Sequence, residues 1–211
     1  MQRLAIIGAG DLGAQIAHHA NSSELYKPVG FFDDSLPVDT IKHGFPILGR
    51  TDTVKKLFEE DLFDVLMIGL GYKHFQLREQ LYNNFIDSIP FATIIHRSCY
   101  VDETCKIGEG TIVYPGCILD TNVVIEQNVL LNIGCNVAHD TVIGKHSFLS
   151  PAVKIAGFVK IGEKVSLGIN TTVIDNITIS NNIRTGGGAV VTKNLEQPGL
   201  YVGLPAQFKK I

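Results

Sequence analysis

From Ile95 onward the chain carries an aliphatic residue at every sixth position: Ile95, Val101, Ile107, Val113, Leu119, Ile125, Leu131, Val137, Ile143, Leu149, Ile155, Ile161, Leu167, Val173 and Ile179. No insertion breaks the register. Two residues ahead of each stands a small or β-branched one, from Thr93, Cys99 and Cys105 through to Thr171 and Ile177. One large and one small inward position per six residues is the pattern of a hexapeptide β-helix. Three units make a triangular turn of eighteen residues, so residues i and i+18 stack about 4.8 Å apart. Short strands form the flat faces, and Gly, Asn and Asp suit the corners, where positive φ is needed. Each buried aliphatic side chain contributes roughly 1.5–3 kcal/mol, so such a stack stabilises a rod with few helices.

The same register accounts for the cysteines. Cys99, Cys105, Cys117 and Cys135 all fall at the small inward position, where a thiol behaves as a compact hydrophobe. Their spacing contains no C-x-x-C pair of a zinc site or redox motif. They are expected to be buried and structural, with no metal bound. Cys117 and Cys135 should stack, and a reducing compartment argues against a disulfide between them.

Residues 1–92 follow another pattern. "RLAIIGAGDLGAQIAHHA" reads as strand, glycine turn and helix; "PVGFFDD" as a second strand; "TDTVKKLFEE" as a helix. "DVLMIGLG" then reads as a third strand, "YKHFQLREQLYNNF" as a helix and "FATIIH" as a last strand into the coil. Strands alternating with helices predict a parallel, Rossmann-like α/β domain. Gly8, Gly10 and Gly13 form a G-x-G-x-x-G turn between strand and helix, where the helix N-terminus favours a phosphate. Asp33 stands twenty residues past Gly13, where an acidic side chain meets a ribose. Alone, this would suggest a nicotinamide dinucleotide. The segment is about half the size that a two-halved dinucleotide fold requires, and a mononucleotide or nucleotide sugar fits its length better. The predicted organisation is thus residues 1–92 as a nucleotide-sugar-binding domain, and residues 93–211 as a β-helix with a C-terminal arm.

Bulk properties exclude several classes. Hydrophobic residues make up 45% and charged residues 18% of the 211, as in an ordinary globular chain. A net charge of -3 leaves no basic footprint for nucleic acid. No apolar run approaches membrane-spanning length and no secretory leader is evident, so a cytoplasmic location is expected.

The motifs "IIGAGDLG", "FFDD", "AHDTVIG", "AGFVKIGEKVSLGIN", "TGGGAVVTKN" and "GLPAQ" run almost end to end. On them the chain resembles the sugar O-/N-acyltransferases of the sialic acid O-acetyltransferase type, including enzymes that acetylate nucleotide-linked 4-amino-4,6-dideoxy sugars. The resemblance implies a left-handed coil, against the usual crossover preference. It also implies acetyl-CoA as co-substrate and a homotrimer with cofactor sites between neighbouring coils. His139 matches the family's general base, and a histidine suits that task because its ordinary pKa lies near 6.5. Asp140 matches the acidic residue that holds the imidazole. Stacking places Gly157 one turn above His139, where a glycine leaves room for a substrate and bares its N–H; by resemblance that amide polarises the thioester carbonyl. Ile169 and Gly187 match contacts to the pantetheine arm and the rest of acetyl-CoA. Asn132 matches a position near the acceptor.

The nucleotide side is carried over in the same way. Gly10, Asp11 and Leu12 match the loop that meets the sugar nucleotide's phosphates, and Asp33 and Asp34 match the pair that recognises base or ribose. The sequence departs from the pattern at two positions. Leu12 replaces a histidine common in amino-sugar relatives. Phe148, beside the cofactor, replaces a second histidine found in some members, which leaves His139 as the sole candidate base. His146 is read as a solvated surface residue, and His18, His19, His43, His74 and His96 have no motif support as catalysts.

The expected activity is N-acetylation of a nucleotide-linked amino sugar by direct attack, since no motif offers a serine or cysteine nucleophile. O-acetylation of a sialic acid is the alternative within acyl transfer. A nicotinamide-binding protein and a non-catalytic scaffold are the readings from other classes.

Overall fold

The computed structural model describes residues 1–210. The chain divides into two compact units, Met1–Ile94 and a second from Ile95 onward.

In the first unit the order is β1 (Gln2–Ile7), α1 (Asp11–Asn21), β2 (Tyr26–Phe32), β3 (Ile41–Lys42), β4 (Phe45–Gly49), α2 (Val54–Glu59), β5 (Val65–Ile68) and α3 (Phe75–Phe85). The sheet runs β3-β4-β2-β1-β5. It is parallel throughout except for the β3–β4 pair. From Leu4 to Ile7, β1 is buried on both sides, and Phe31, Phe32 and Leu66 complete the core around it. An unbroken apolar run is what a strand covered on both faces requires. The chain reverses its direction across the sheet at β1, which opens a crevice beyond the strands' carboxyl ends. The β3–β4 hairpin is an element the sequence reading lacks. Its two-residue turn is His43–Gly44, with φ of 51° and 83°. Two positive φ angles match the right-handed twist of hairpin strands, but the histidine hides the usual Asn-Gly or Asp-Gly signal.

The second unit is a left-handed parallel β-helix. Its first face starts with Ile94–Ile95 and Ile112–Val113, its second with Tyr100–Val101 and Ile118–Leu119, its third with Lys106–Ile107 and Val124–Ile125. As far as Val191 pairing is to the residue eighteen further on, for example Ile118 to Asn136 to Lys154 to Thr172; the closing strands shift to an offset of sixteen, with Ile183 opposite Gly199. The inward aliphatics are almost completely shielded from Val113 to Ile179. In the opening turn Ile95 is exposed and Val101 and Ile107 are only partly buried. The same end effect corrects the reading of the cysteines. Cys117 and Cys135 are buried, whereas Cys99 and Cys105, in that first turn, are half-buried; all four are free thiols.

The repeat also outlasts its apolar signal. Thr185 takes the large inward position six residues after Ile179, and its hydroxyl lies 2.8 Å from that of Thr171 and accepts the Gly168 N–H at 2.9 Å. Val191 then resumes the apolar series. Corners follow an equally strict rule. Every sixth residue from Gly110 to Gly188 has φ between 54° and 73°. Most of these are Gly or Asn, the residues that accept the left-handed region at least cost. His146 is one of the exceptions. It is only 4% exposed, and its Nδ1 lies 2.9 Å from the Asn128 amide nitrogen one turn below. The expectation of a solvated His146 is therefore corrected: its column draws the ring into a buried hydrogen bond.

Candidate active site

His139 and Asp140 form the corner between the second and third faces. Asp140 takes the left-handed conformation, φ 56°, and its Oδ2 lies 3.0 Å from His139 Nδ1. An ionised carboxylate can only accept, so the proton of a neutral imidazole sits on Nδ1 and Nε2 keeps its lone pair. The Asp140 carboxylate is itself steadied from the turn below, where the Asn122 amide donates to Oδ1 at 3.2 Å. Thr141, at the next inward position, ties this corner to the turn above. Its hydroxyl donates to the Ala156 carbonyl at 3.0 Å and accepts the Val159 N–H at 3.3 Å.

Gly157 stands directly over His139. A Cβ there would lie 2.7 Å from His139 Cε1 and 2.8 Å from Nε2. The space opened by the missing side chain is thus filled by the imidazole, rather than left for substrate as the sequence reading supposed. The Gly157 carbonyl is taken by the Asn176 N–H at 3.1 Å, and its own N–H has no acceptor among the described residues. Phe158, the following residue, meets the imidazole edge to face, with ring centroids 5.0 Å apart and planes at 86°. Beside this corner, a cavity of about 390 Å³ opens on the second face. Ala138 and Ala156 border it next to His139 and Gly157, with Tyr100, Ile118, Asn136 and Lys154 further along.

Other expected site residues lie elsewhere on the coil. Ile169 and Gly187 stack on each other at the corner between the first and second faces, where a Cβ on Gly187 would meet Ile169 Cγ2 at 2.9 Å. Asn132 ends a first-face strand near that same corner and accepts the Ile133 N–H on its side chain at 2.8 Å. Phe148 pairs in register with Leu130 and Ser166 on the first face and is nearly buried. Within one chain, then, His139, Asp140 and Gly157 come together, while Ile169, Gly187, Asn132 and Phe148 do not join them. Asn122 and Phe158 are the members that sequence reasoning missed. Each is eighteen residues from Asp140, so the stacking rule that found Gly157 contained both.

The half-buried cysteines offer no competing nucleophile. Contact with the Cys117 thiol and then burial push the Cys99 thiol well above its ordinary range, and burial pushes Cys105 up as well. Both stay protonated, which disfavours attack by sulfur.

In the first unit, the G-x-G-x-x-G turn serves two purposes. Gly13 is demanded by packing, because a Cβ there would stand 2.0 Å from the Gly8 carbonyl oxygen. At Gly10 a Cβ would meet nothing within 4 Å, so the protein's own packing leaves the approach to the N-terminus of α1 open. Gly10 caps that helix without a side-chain hydrogen bond, and Asp11 and Leu12 form its first turn. Asp33 ties the turn to β2 by accepting the Ala9 N–H at 2.9 Å, and its other oxygen accepts the Ser35 hydroxyl and N–H. Partial burial pushes the Asp33 carboxyl up, but those hydrogen bonds outweigh it and hold the group below the ordinary carboxylate range. Asp34 accepts from the Thr51 N–H and hydroxyl. A cavity of about 420 Å³ at the strands' carboxyl ends is lined by Gly8, Asp33, Asp34, Thr51, Leu70 and His74, among others. His74 had no motif to mark it.

Among the described residues no cluster of His, Cys, Asp and Glu could hold a metal ion, and no helix is long and apolar enough to cross a membrane.

Residues 3–85 match the PglD N-terminal domain family. The whole chain is similar to a histidine-to-asparagine mutant of perosamine N-acetyltransferase from Caulobacter crescentus, solved in complex with CoA and GDP-perosamine. The identity is 26% and the TM-score 0.93, over 100% of this chain and 98% of that one. It is also similar to the acetyltransferase domain of PglB from Neisseria gonorrhoeae FA1090 in complex with acetyl coenzyme A. There the identity is 25% and the TM-score 0.87, over 98% of each chain. WeeI from Acinetobacter baumannii AYE shares the fold at 24% identity and TM-score 0.83, over 98% of this chain and 99% of that one. With an α/β domain that matches the PglD N-terminal family and a hexapeptide β-helix after it, the chain is built over its whole length like these sugar acetyltransferases and is itself an acetyltransferase.

Proposed function

We propose that the chain transfers the acetyl group of acetyl-CoA to the amino group of a nucleotide-linked 4-amino-4,6-dideoxy sugar, with His139 as general base. The observation that carries this reading is the imidazole seated on Gly157, its Nδ1 held by Asp140 at 3.0 Å and Nε2 left as the basic nitrogen. The amine nitrogen attacks the thioester carbonyl while Nε2 takes an amine proton. The new oxyanion is stabilised by the uncommitted N–H of Gly157; one such donor contributes about 10²–10³-fold. Collapse of the tetrahedral intermediate expels the CoA thiolate, which recovers the proton from the imidazolium. No acyl-enzyme forms, in keeping with protonated cysteines.

The labour divides along the chain. Residues 1–92 hold the nucleotide sugar, with its phosphates at Gly10, Asp11 and Leu12 and its nucleoside near Asp33 and Asp34; residues 93–211 carry out the transfer. The carboxylates of Asp33 and Asp34 already serve the protein's own hydrogen bonds, so only their remaining lone pairs are offered to a nucleoside. Ile169 and Gly187 occupy a different corner from His139, which supports a cofactor held between two copies in a homotrimer, with Phe148 beside the cofactor and Asn132 near the acceptor. Exposed Tyr100, Ile118, Ile133 and Ile169 give the second face and its edge the apolar surface such an assembly buries.

The test is a screen of UDP-, dTDP- and GDP-linked 4-amino sugars against free sialic acid, reading CoA thiol release. Turnover confined to one of the amino-sugar nucleotides is expected. Turnover with sialic acid alone would replace the amine acceptor by a hydroxyl. Sedimentation as a monomer would contradict the shared cofactor site.

A further inference from the structure

Phe158 stands out in its column. Its φ is 58°, a left-handed conformation strongly disfavoured for a bulky side chain. The corner positions one turn above and one and two turns below it are Asn176, Asp140 and Asn122, all residues that tolerate that conformation. Burial does not offset the strain, because Phe158 is 53% exposed. Among the described residues its one ring contact is with His139, perpendicular at 5.0 Å, and its N–H donates to the His139 carbonyl at 3.1 Å.

We propose that Phe158 is a positioning residue for His139, its ring fixing the imidazole over Gly157 so that Nε2 points to the acceptor amine. The imidazole is then held on three sides. Asp140 fixes Nδ1, Gly157 supports the ring edge, and Phe158 blocks rotation about χ1 and χ2 on the open side. Asp140 alone cannot do this, since a single hydrogen bond to a half-exposed ring leaves a swinging motion about the Nδ1–Oδ2 line. Edge-to-face aromatic pairs stabilise one geometry enough to bias it several-fold, which is the scale needed to keep a general base in place. The inference rests on His139 being the base, and it predicts a stability effect of opposite sign to the activity effect.

The test is Phe158→Asn, which gives the corner a residue suited to its backbone and removes the ring. We expect kcat to fall by about three- to tenfold, the KM for acetyl-CoA to stay within about twofold, and the melting temperature to hold or rise. Phe158→Tyr should restore kcat. In the unliganded protein, the NMR signal of the His139 Cε1 proton should lose its aromatic ring-current shift in Phe158→Asn and keep it in Phe158→Tyr. A fall in melting temperature with kcat and that signal unchanged would make Phe158 a packing residue and overturn the proposal. So would failure of tyrosine to rescue. If the wild-type chain acetylates none of the amino sugars, the reading of the acceptor fails, while the NMR signal still decides whether Phe158 orders the ring.

Discussion

His139 and Gly157 are in van der Waals contact across one turn of the coil, and a methyl group on Gly157 would stand 2.7 Å from the imidazole Cε1. Eighteen residues of separation become a single contact because the turns around this corner all close with the same residue count. The base and the bare amide are thereby fixed to each other by the backbone ladder rather than by a loop.

Gly157→Ala should therefore displace the ring without unfolding the coil. The clash falls on a half-exposed side chain that can swing away, so stability should change little. Activity should fall by about 10²-fold, the loss expected when a base is moved by about 1 Å. Steady-state turnover alongside thermal melting checks this; a variant with wild-type turnover would show that the ring's seat on Gly157 is immaterial.

Asp140 acts on the tautomer. Asp140→Asn can present an N–H to Nδ1, moving the imidazole proton to Nε2 and removing the lone pair from the reacting side. Because the pair is roughly 40% exposed, water competes for Nδ1, and the expected fall in kcat is about ten- to a hundredfold, below that of a buried triad. Asn122→Ala, which removes the lower support of Asp140, should cost only about two- to threefold. Equal losses for the two variants would contradict this order.

Much of this site could be read from the chain because the coil converts spacing into contact. His139 over Gly157 follows from the eighteen-residue period alone, and so, once the rule is applied to outward residues, do Asn122 and Phe158. What spacing does not report is the sideways reach of a side chain. His146 is buried through its bond to Asn128, although its corner position suggests solvent. Nor does an apolar pattern reveal Thr185, whose inward hydroxyl replaces a methyl and is satisfied by Thr171 and Gly168. In the α/β unit the glycine turn was legible, but the role of Asp33 in bracing it was not. The same acidic residue that suggests a ribose partner is already bonded to Ala9 and Ser35.

Acid should weaken the α/β unit through Asp64. Side-chain and backbone hydrogen bonds from Arg3 hold its carboxyl at about 2, below the ordinary 3.8. A depressed folded-state value means that the unfolded chain binds the proton first, so this contribution is complete above about pH 4 and is lost as the pH falls toward about 2. Urea midpoints measured across that window should decline less for Asp64→Asn than for the wild type. Parallel declines would remove Asp64 from the acid response. The group is exposed, so the difference should be modest.

The most direct test of the central claim is kcat for His139→Asn with acetyl-CoA and the amino-sugar nucleotide that the wild type accepts. The side chain is 43% exposed, so the variant should fold normally. We expect kcat to fall at least about a hundredfold while the KM for acetyl-CoA stays within about threefold. A folded His139→Asn protein that turns over as fast as the wild type would contradict the account.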